Sequence, residues 1–214
     1  MTIAILKSVR LSYPDLWKPG KPLNDGDTPK YGGQFIYDDG TDNATVAKNA
    51  FIASAQEVFG ENWQAIVGAM EKSKKCIRKG NENLTKDGAI RDGYKDKLYI
   101  VARNKVKPLI IGPVRTMPKG HNEDGKFSDG FPILTEAGGK PFGGCYVNVK
   151  VDIKAMKGRE KIPNQIYAAL LTVQFVADGP AFGAAPGTAE GFDDVEGAAP
   201  VGGGAAAVAD NDLF

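Results

Sequence analysis

Alternating apolar and polar side chains predict a body made mostly of β-strands. Ile3, Ile5, Val9 and Leu11 occupy odd positions of the first such stretch, as in a strand with one buried face. A shorter strand is predicted at about 34–37. Further strands are predicted downstream at about 97–106, 109–111, 144–154 and 166–176.

Helical spacing is confined to one region between these strands. Asp42 or Asn43 caps a predicted helix whose apolar positions continue through Ala55. We expect the helix to break at Gly60 and to resume from Trp63. Several strands with one helical insertion predict a mainly β fold, favouring a small closed barrel of the oligonucleotide-binding (OB) type, with a sandwich as the alternative.

The charge of the chain is divided unevenly along its length. All 27 Lys and Arg residues lie within 1–177 with 19 of the 26 acidic residues, so this part carries a net charge of +8. The segment 178–214 contains seven acidic residues and no basic one. Such asymmetry predicts a polyanionic partner for the first part and a basic partner for the second.

The segment 178–214 is rich in Gly, Ala and Pro and poor in large apolar residues. We therefore predict a flexible acidic tail that follows a folded domain over 1–177. Its end differs, because an acidic stretch closes on an apolar pair. A terminus without a role is the plainer interpretation. The alternative, which we favour, is a tip that contacts protein partners through Asp210, Asp212, Leu213 and Phe214.

The stretch 95–107 is the most informative of the predicted strands. Apart from Val101, its odd positions carry Lys or Arg with a tyrosine, Tyr99, among them, and its even positions are mainly apolar. Side chains alternate between the two faces of a strand, so one face is basic and the other packs on the core. Like charges along one face favour an anionic partner, although lysines also block edge pairing. The predicted DNA contacts here are Lys97, Tyr99, Arg103, Lys105 and Lys107.

Two further segments extend the predicted binding surface. The polar face of the 145–154 strand contributes Tyr146, Lys150 and Lys154. An upstream cluster contributes Lys74, Lys75, Arg78 and Lys79. Lys and Arg neutralise nucleic-acid phosphates, and aromatic rings stack on unpaired bases. The candidate stacking residues are Tyr13, Trp17, Tyr37, Tyr94, Tyr99 and Tyr146.

The inventory of reactive side chains disfavours an enzyme. One histidine, His121, and two cysteines 69 positions apart are too few for a usual zinc site and indicate no disulfide framework. No phosphate-binding loop surrounds Lys140, and no cofactor is expected. The longest nearly apolar run, 167–177, is too short to span a bilayer, so we expect no membrane association. The two distant cysteines, without a disulfide framework, predict a reducing cytoplasm.

Two blocks in the second half of the body carry a family signature. They are the run 142–151, FGGCYVNVKV, and the run 171–183, with Gln-Phe-Val, Asp-Gly and Ala-Phe-Gly at fixed spacing. Together with the stretches 9–14 and 30–31, they resemble a family of bacteriophage single-stranded-DNA-binding proteins. The resemblance implies an OB-type barrel with a long β-hairpin excursion, binding without base specificity, a role in phage replication or recombination, and no catalysis.

The tail tip is similar to the acidic, Phe-terminated tips of bacterial and T7-like phage single-strand binders. That similarity implies recruitment of replication proteins and competition with DNA. The tip of this chain is less acidic than those tips and lacks a proline, which puts recruitment of the host's own partners in question.

These observations lead to one prediction and two alternatives. We predict sequence-independent binding and protection of single-stranded DNA in phage replication or recombination, in the host cytoplasm, with replication or recombination proteins bound by the tail. A structural phage protein, such as a capsid decoration or tail component, is one alternative. A duplex- or RNA-binding protein is the other. The sequence is compatible with a monomer or with a homo-oligomer. The Gly- and Pro-rich segment 112–143 is either a DNA-gripping hairpin or a dimer contact.

Overall fold

The computed structural model describes residues 1–22, 28–160 and 162–182. Within these ranges the chain forms nine β-strands and two α-helices. The strands are β1 (Thr2–Gly20), β2 (Lys30–Asp38), β3 (Ile77–Lys79), β4 (Lys97–Asn104), β5 (Leu109–Ile111), β6 (Phe127–Ser128), β7 (Phe131–Pro132), β8 (Tyr146–Met156) and β9 (Gln165–Ala177). The helices are α1 (Asp42–Phe59) and α2 (Trp63–Ala69). Neither helix in these ranges has the length and apolar character needed to cross a membrane.

Five of the strands close into a barrel. β1 lies between β2 and β8 and pairs with both in antiparallel fashion, β2 pairs with β4, and β8 pairs with β9. The barrel closes where β4 and β9 run parallel, with Ala102 opposite Ala168. This arrangement confirms the predicted mainly β, OB-like barrel with a helical insertion.

The barrel core is built from strand positions that alternate with outward-facing ones. Cys145, Val147, Val149, Val151 and Ile153 are all fully buried. This confirms the apolar face predicted for the strand at 144–154, which corresponds to β8. Burying each Val or Ile side chain stabilises the fold by about 1.5–3 kcal/mol, so this one strand is a major contributor to the core.

The first strand departs from the predicted alternation. Ile3 and Ile5 are exposed, Ile5 by 50%, although the pattern places them on the buried face. The register between β1 and β8 is interrupted between Leu6 and Val9, and Ser8 within the interruption has a φ of 50°. An extra residue in such a β-bulge exchanges the two faces of the strand. The predicted inward positions are therefore wrong before the bulge and correct after it.

Helix α1 packs mainly on β1 and β8. Its buried side includes Ala44 and Ala47, whose small side chains let the helix lie close to the strands. Ser54 ties it to β8, since its hydroxyl oxygen accepts a hydrogen bond from the Ala155 N–H at 2.6 Å. The helix ends at Gly60, whose φ of 63° is readily adopted by glycine, as the sequence predicts.

The segment 112–143 forms an excursion beside β5 that contains the β6–β7 pair. Two backbone hydrogen bonds attach the returning stretch, 132–134, to the end of β5 and the residue after it. The Gly112 N–H donates to the Pro132 carbonyl at 2.8 Å, and the Leu134 N–H donates to the Ile110 carbonyl at 2.9 Å. The excursion is therefore anchored at its base.

Candidate nucleic-acid interface

A groove of about 740 Å³ opens on the barrel surface where β4 and β9 meet. Its walls are the turn at 73–78, the outer positions of β4 and the first residues of β9. None of the described residues that line it is acidic, and six are basic: Lys30, Lys74, Lys75, Arg78, Arg103 and Lys105. Cations gathered in one cleft focus a positive potential, so the groove suits an anionic ligand.

Backbone pairing explains why these cations converge. β3 pairs with β4, and Lys75 forms a parallel bridge with Ile166 of β9. The Arg78 side chain donates from Nε to the Lys75 carbonyl at 2.9 Å and from Nη2 to the Ser73 carbonyl at 2.8 Å. These bonds hold the turn over the junction of β4 and β9. The predicted cluster at 74–78 and the basic end of β4 thus line the same groove.

A second cavity of about 310 Å³ adjoins the groove and shares Lys30, Arg103 and Lys105 with it. Asp15 also lines this cavity. Burial raises the pKa of Asp15, and the positive charge of Arg103 opposes that rise. Residues 23–27, in the same connection between β1 and β2, lie outside the described residues. Asp15 is therefore a carboxylate placed beside the cationic groove.

Three of the predicted stacking residues are buried, and in this conformation their rings are not open to bases. Tyr99 is 5% exposed and Tyr94 is 1% exposed, and Tyr37 lies in the barrel core. The Tyr94 ring meets Tyr99 edge-on, with centroids 5.1 Å apart, and its hydroxyl donates to Gln34 Oε1 at 2.7 Å. Burial raises the pKa of Tyr37 and of Tyr94. The stretch before β4 covers the middle of the face that the sequence predicts to be open.

Two other pairs of predicted residues lie outside the groove. Lys97 and Tyr146 line a separate cleft of about 270 Å³, where Lys97 forms an ion pair with Asp38. The ammonium group of Lys107 lies 5.4 Å from the centroid of the Trp17 ring, which is partly buried against the core. Lys97, Lys107 and Trp17 thus already have partners within the chain.

The remaining predicted lysines are dispersed. Lys79 is exposed in β3, and the strand register sets Lys150 beside Ile5 and Thr172. Lys154 stands opposite Tyr167, and a hydrogen bond and ion pair with Asp152 raise its pKa. Tyr167 lines the groove, but none of these three lysines does.

The structure adds groove residues that the sequence pattern did not single out. Tyr167 is 41% exposed and lines the groove, and Lys30 stands at its other side. Ile166 and Ala168 are buried. The alternation at 166–168 is therefore the signal that could have identified Tyr167. Lys30 is the first residue of β2, where no alternation of apolar and polar residues marks it.

The start of the predicted tail contacts the barrel. Asp178 forms an ion pair with Lys140 at 2.6 Å, and the Pro180 carbonyl accepts a hydrogen bond from Arg10 Nη2 at 2.6 Å. The described fold thus continues past the predicted domain boundary at 177. The predicted contact residues of the tip, Asp210, Asp212, Leu213 and Phe214, lie outside the described residues.

Fold and groove together define a class of protein. Barrels of the OB type bind oligonucleotides on the face of their second and third strands and at the loop between the first two. β2 and β4 hold those places here, and the groove and its adjoining cavity lie on that side. Among the described residues, no three His, Cys, Asp or Glu side chains come together as metal ligands would. The molecule is an OB-type barrel with a basic groove.

The chain belongs to the family described as the single-stranded-DNA-binding protein of Enterobacter phage Enc34, which it matches over residues 2–201. Protein p50 of Acyrthosiphon pisum secondary endosymbiont phage 1 is 31% identical to it over 198 residues, which are 89% of this chain and 92% of p50. The family resemblance predicted from the sequence is confirmed. The family is one of binding proteins rather than enzymes.

Two solved structures of the bacteriophage Enc34 single-stranded-DNA-binding protein are similar to this chain. Its C-terminal truncation gives a TM-score of 0.61 at 19% identity, over 85% of this chain and 88% of that one. Its complex with single-stranded DNA gives a TM-score of 0.59 at 21% identity, over 85% of this chain and 90% of that one. At these identities the likeness establishes the shared fold.

Proposed function

We propose that this protein binds single-stranded DNA without base specificity in the groove between the 73–78 turn, β4 and β9. The observation that carries the proposal is the groove itself, whose described lining has six basic residues, no acidic one and an exposed tyrosine. Membership of a phage family described by single-stranded-DNA binding supports the same ligand.

The cations act on the DNA backbone. Lys and Arg side chains displace condensed counterions from phosphates, which makes binding strong at low salt and weaker as salt rises. Arg103 and Lys105 line both the groove and the adjoining cavity, so a strand that passes from one to the other meets them midway. We assign these two side chains the central phosphate contacts.

The bases are held by stacking rather than by reading of their edges. Tyr167 presents an exposed ring in the groove, and a base stacked on such a ring gains about 1–3 kcal/mol whatever its identity. Two of the three amides that line the groove are tied to the protein: Gln34 Oε1 accepts the Tyr94 hydroxyl, and Asn104 Nδ2 donates to the Leu170 carbonyl at 3.0 Å. These hydrogen bonds limit the freedom of both side chains to turn toward a base edge.

The acidic tail completes the proposed function in the infected cell's cytoplasm. The segment 178–214 carries seven acidic residues, opposite in sign to the groove. We assign it two roles: weak competition with DNA for the groove, and recruitment of replication or recombination proteins through its tip. The first role follows from charge alone, since a tethered polyanion is present at high effective concentration.

The test is a titration of fluorescently labelled oligo-dT with the full-length protein and with a version that ends at Gly183. We expect binding that weakens with salt and that strengthens when residues 184–214 are removed. Competition by duplex DNA and by single-stranded RNA at fixed salt then ranks the three nucleic acids. Absence of binding by both versions at low salt would refute the proposal and favour a structural phage protein.

A further inference from the structure

Phe182 lies on the outer face of the β2–β4 sheet, beside the proposed groove. Its ring packs against the cluster formed by Ile36, Tyr94 and Tyr99, and its centroid is 6.4 Å from that of Tyr94. On its other side the Arg10 guanidinium carbon lies 4.2 Å from the ring centroid. The Phe182 ring is therefore held between an aromatic wall and a cation.

The Phe182 ring is closely surrounded, by Gly93 on one side and Arg10 on another. A Cβ on Gly93 would overlap Cε1 of Phe182, so the ring reaches a place that a larger residue at 93 would close. Arg10 is held in position because Nε faces the Gly144 carbonyl at 3.4 Å and Nη2 donates to the Pro180 carbonyl at 2.6 Å. A planar ring under a fixed guanidinium and against tyrosine is also how proteins hold nucleobases.

The notch that holds the Phe182 ring lies between the groove and a second cleft, the one that Lys97 and Tyr146 line. Val101 lines the groove and also packs against the cluster that holds Phe182. Arg10 and Gly93, which contact Phe182, also line the second cleft together with Lys97 and Tyr146. A strand that leaves the groove along this face thus meets the Phe182 ring before it meets the cations of the second cleft.

The segment that carries the ring packs its backbone against Gly144 and has few polar contacts with the barrel. Asp178 pairs with Lys140 through side chains that are both largely exposed, and such pairs are worth little in water. Displacing the segment also releases Arg10 Nη2 from the Pro180 carbonyl, which leaves that donor free for a phosphate. The release of Phe182 therefore frees two things together: a position where a base can stack and an arginine donor that can bind a phosphate.

We propose that this notch is a nucleobase-stacking subsite that Phe182 fills until DNA displaces it. The inference rests on the proposed function and deepens it: a bound strand continues from the groove through the notch toward Lys97 and Tyr146. Displacement from a filled site lowers the apparent affinity in proportion to the fraction of molecules in which the site is open.

The first test compares Phe182→Ala with Val46→Ala in the full-length protein, using oligo-dT of graded length. Val46 is the control, because it is an exposed apolar residue of α1 that lines neither the groove nor the second cleft. We expect Phe182→Ala to bind long oligo-dT about threefold or more tightly than wild type, with no gain for lengths that fill only the groove. Val46→Ala should match wild type at every length.

A Phe182→Trp variant supplies a second readout that does not depend on Phe182→Ala being folded. Saturation with long oligo-dT should shift the emission of the added tryptophan to longer wavelength, measured against wild type with its Trp17 and Trp63. Wild-type binding with no gain in Phe182→Ala and no shift in Phe182→Trp would overturn the subsite and leave the proposed function standing. Failure of wild type to bind oligo-dT would instead overturn the proposed function.

Discussion

Replacing Arg103 and Lys105 together by alanine removes the two cations that line both the groove and its adjoining cavity. Both side chains project from β4 or directly after it, and Arg103 is exposed. Neither belongs to the hydrophobic core. The change should therefore lower DNA affinity while the thermal unfolding midpoint stays close to that of wild type.

The size of the effect follows from the number of cations in the groove. If all six contact phosphates, the logarithm of the binding constant should fall with the logarithm of salt concentration with a slope of about −4. Four remaining contacts reduce the slope to about −3. At about 0.1 M salt each contact contributes roughly fivefold, so the double variant should bind roughly 25-fold more weakly.

The assay is fluorescence anisotropy of labelled oligo-dT across a salt series. A variant with Lys48→Ala and Lys150→Ala is the charge-matched control, because it removes two exposed lysines that do not line the groove. It should keep the wild-type slope. An unchanged slope in the Arg103/Lys105 variant would remove both side chains from the phosphate contacts. An equal loss in both variants would show that net charge rather than the groove governs binding.

Three further predictions concern single residues. Tyr167→Ala should weaken oligo-dT binding roughly tenfold while Tyr167→Phe retains it, since stacking needs the ring alone, and equal affinities in both would remove Tyr167 from the site. Asp15→Asn should strengthen binding by roughly twofold to fivefold at low salt, with the gain fading at high salt, because a carboxylate beside Arg103 repels phosphate; weaker binding would contradict this. Burial raises the pKa of Cys76 to about 12 and also raises that of Cys145, so neither thiol should react with an aromatic disulfide reagent at neutral pH until denaturant is added; rapid labelling of the native protein would disprove the burial.

Much of the barrel could be predicted because it depends on local periodicity. The inward face of β8 follows from strict alternation between 145 and 153, and the end of α1 follows from a glycine at 60. The first strand shows the limit of that method. Its alternation continues through Ser8 in the sequence, but a bulge at that residue exchanges the faces before it, and a bulge has no periodic signature.

The site could be predicted only in part, because alternation assigns a face and not a partner. The sequence correctly makes one side of 95–107 basic and tyrosine-bearing. It does not reveal that Phe182 packs against the cluster of Ile36, Tyr94 and Tyr99, since Phe182 is far from all three along the chain. Nor does alternation show that the stretch before β4 folds back and sets Tyr94 against Tyr99. The same distance hides the meeting of Lys75 with Ile166, which brings the 73–78 turn to the groove.

The sequence by itself determined the family, the β-rich body and the division of charge between 1–177 and 178–214. These properties depend on composition and short-range pattern, so they can be inferred without knowledge of long-range contacts. The tertiary structure alone decided which cations share a groove, which tyrosines are buried and that Tyr167 is exposed among the cations. Those outcomes depend on strand pairing and on the closure of the barrel between β4 and β9, where residues distant in sequence are forced together to bury the core.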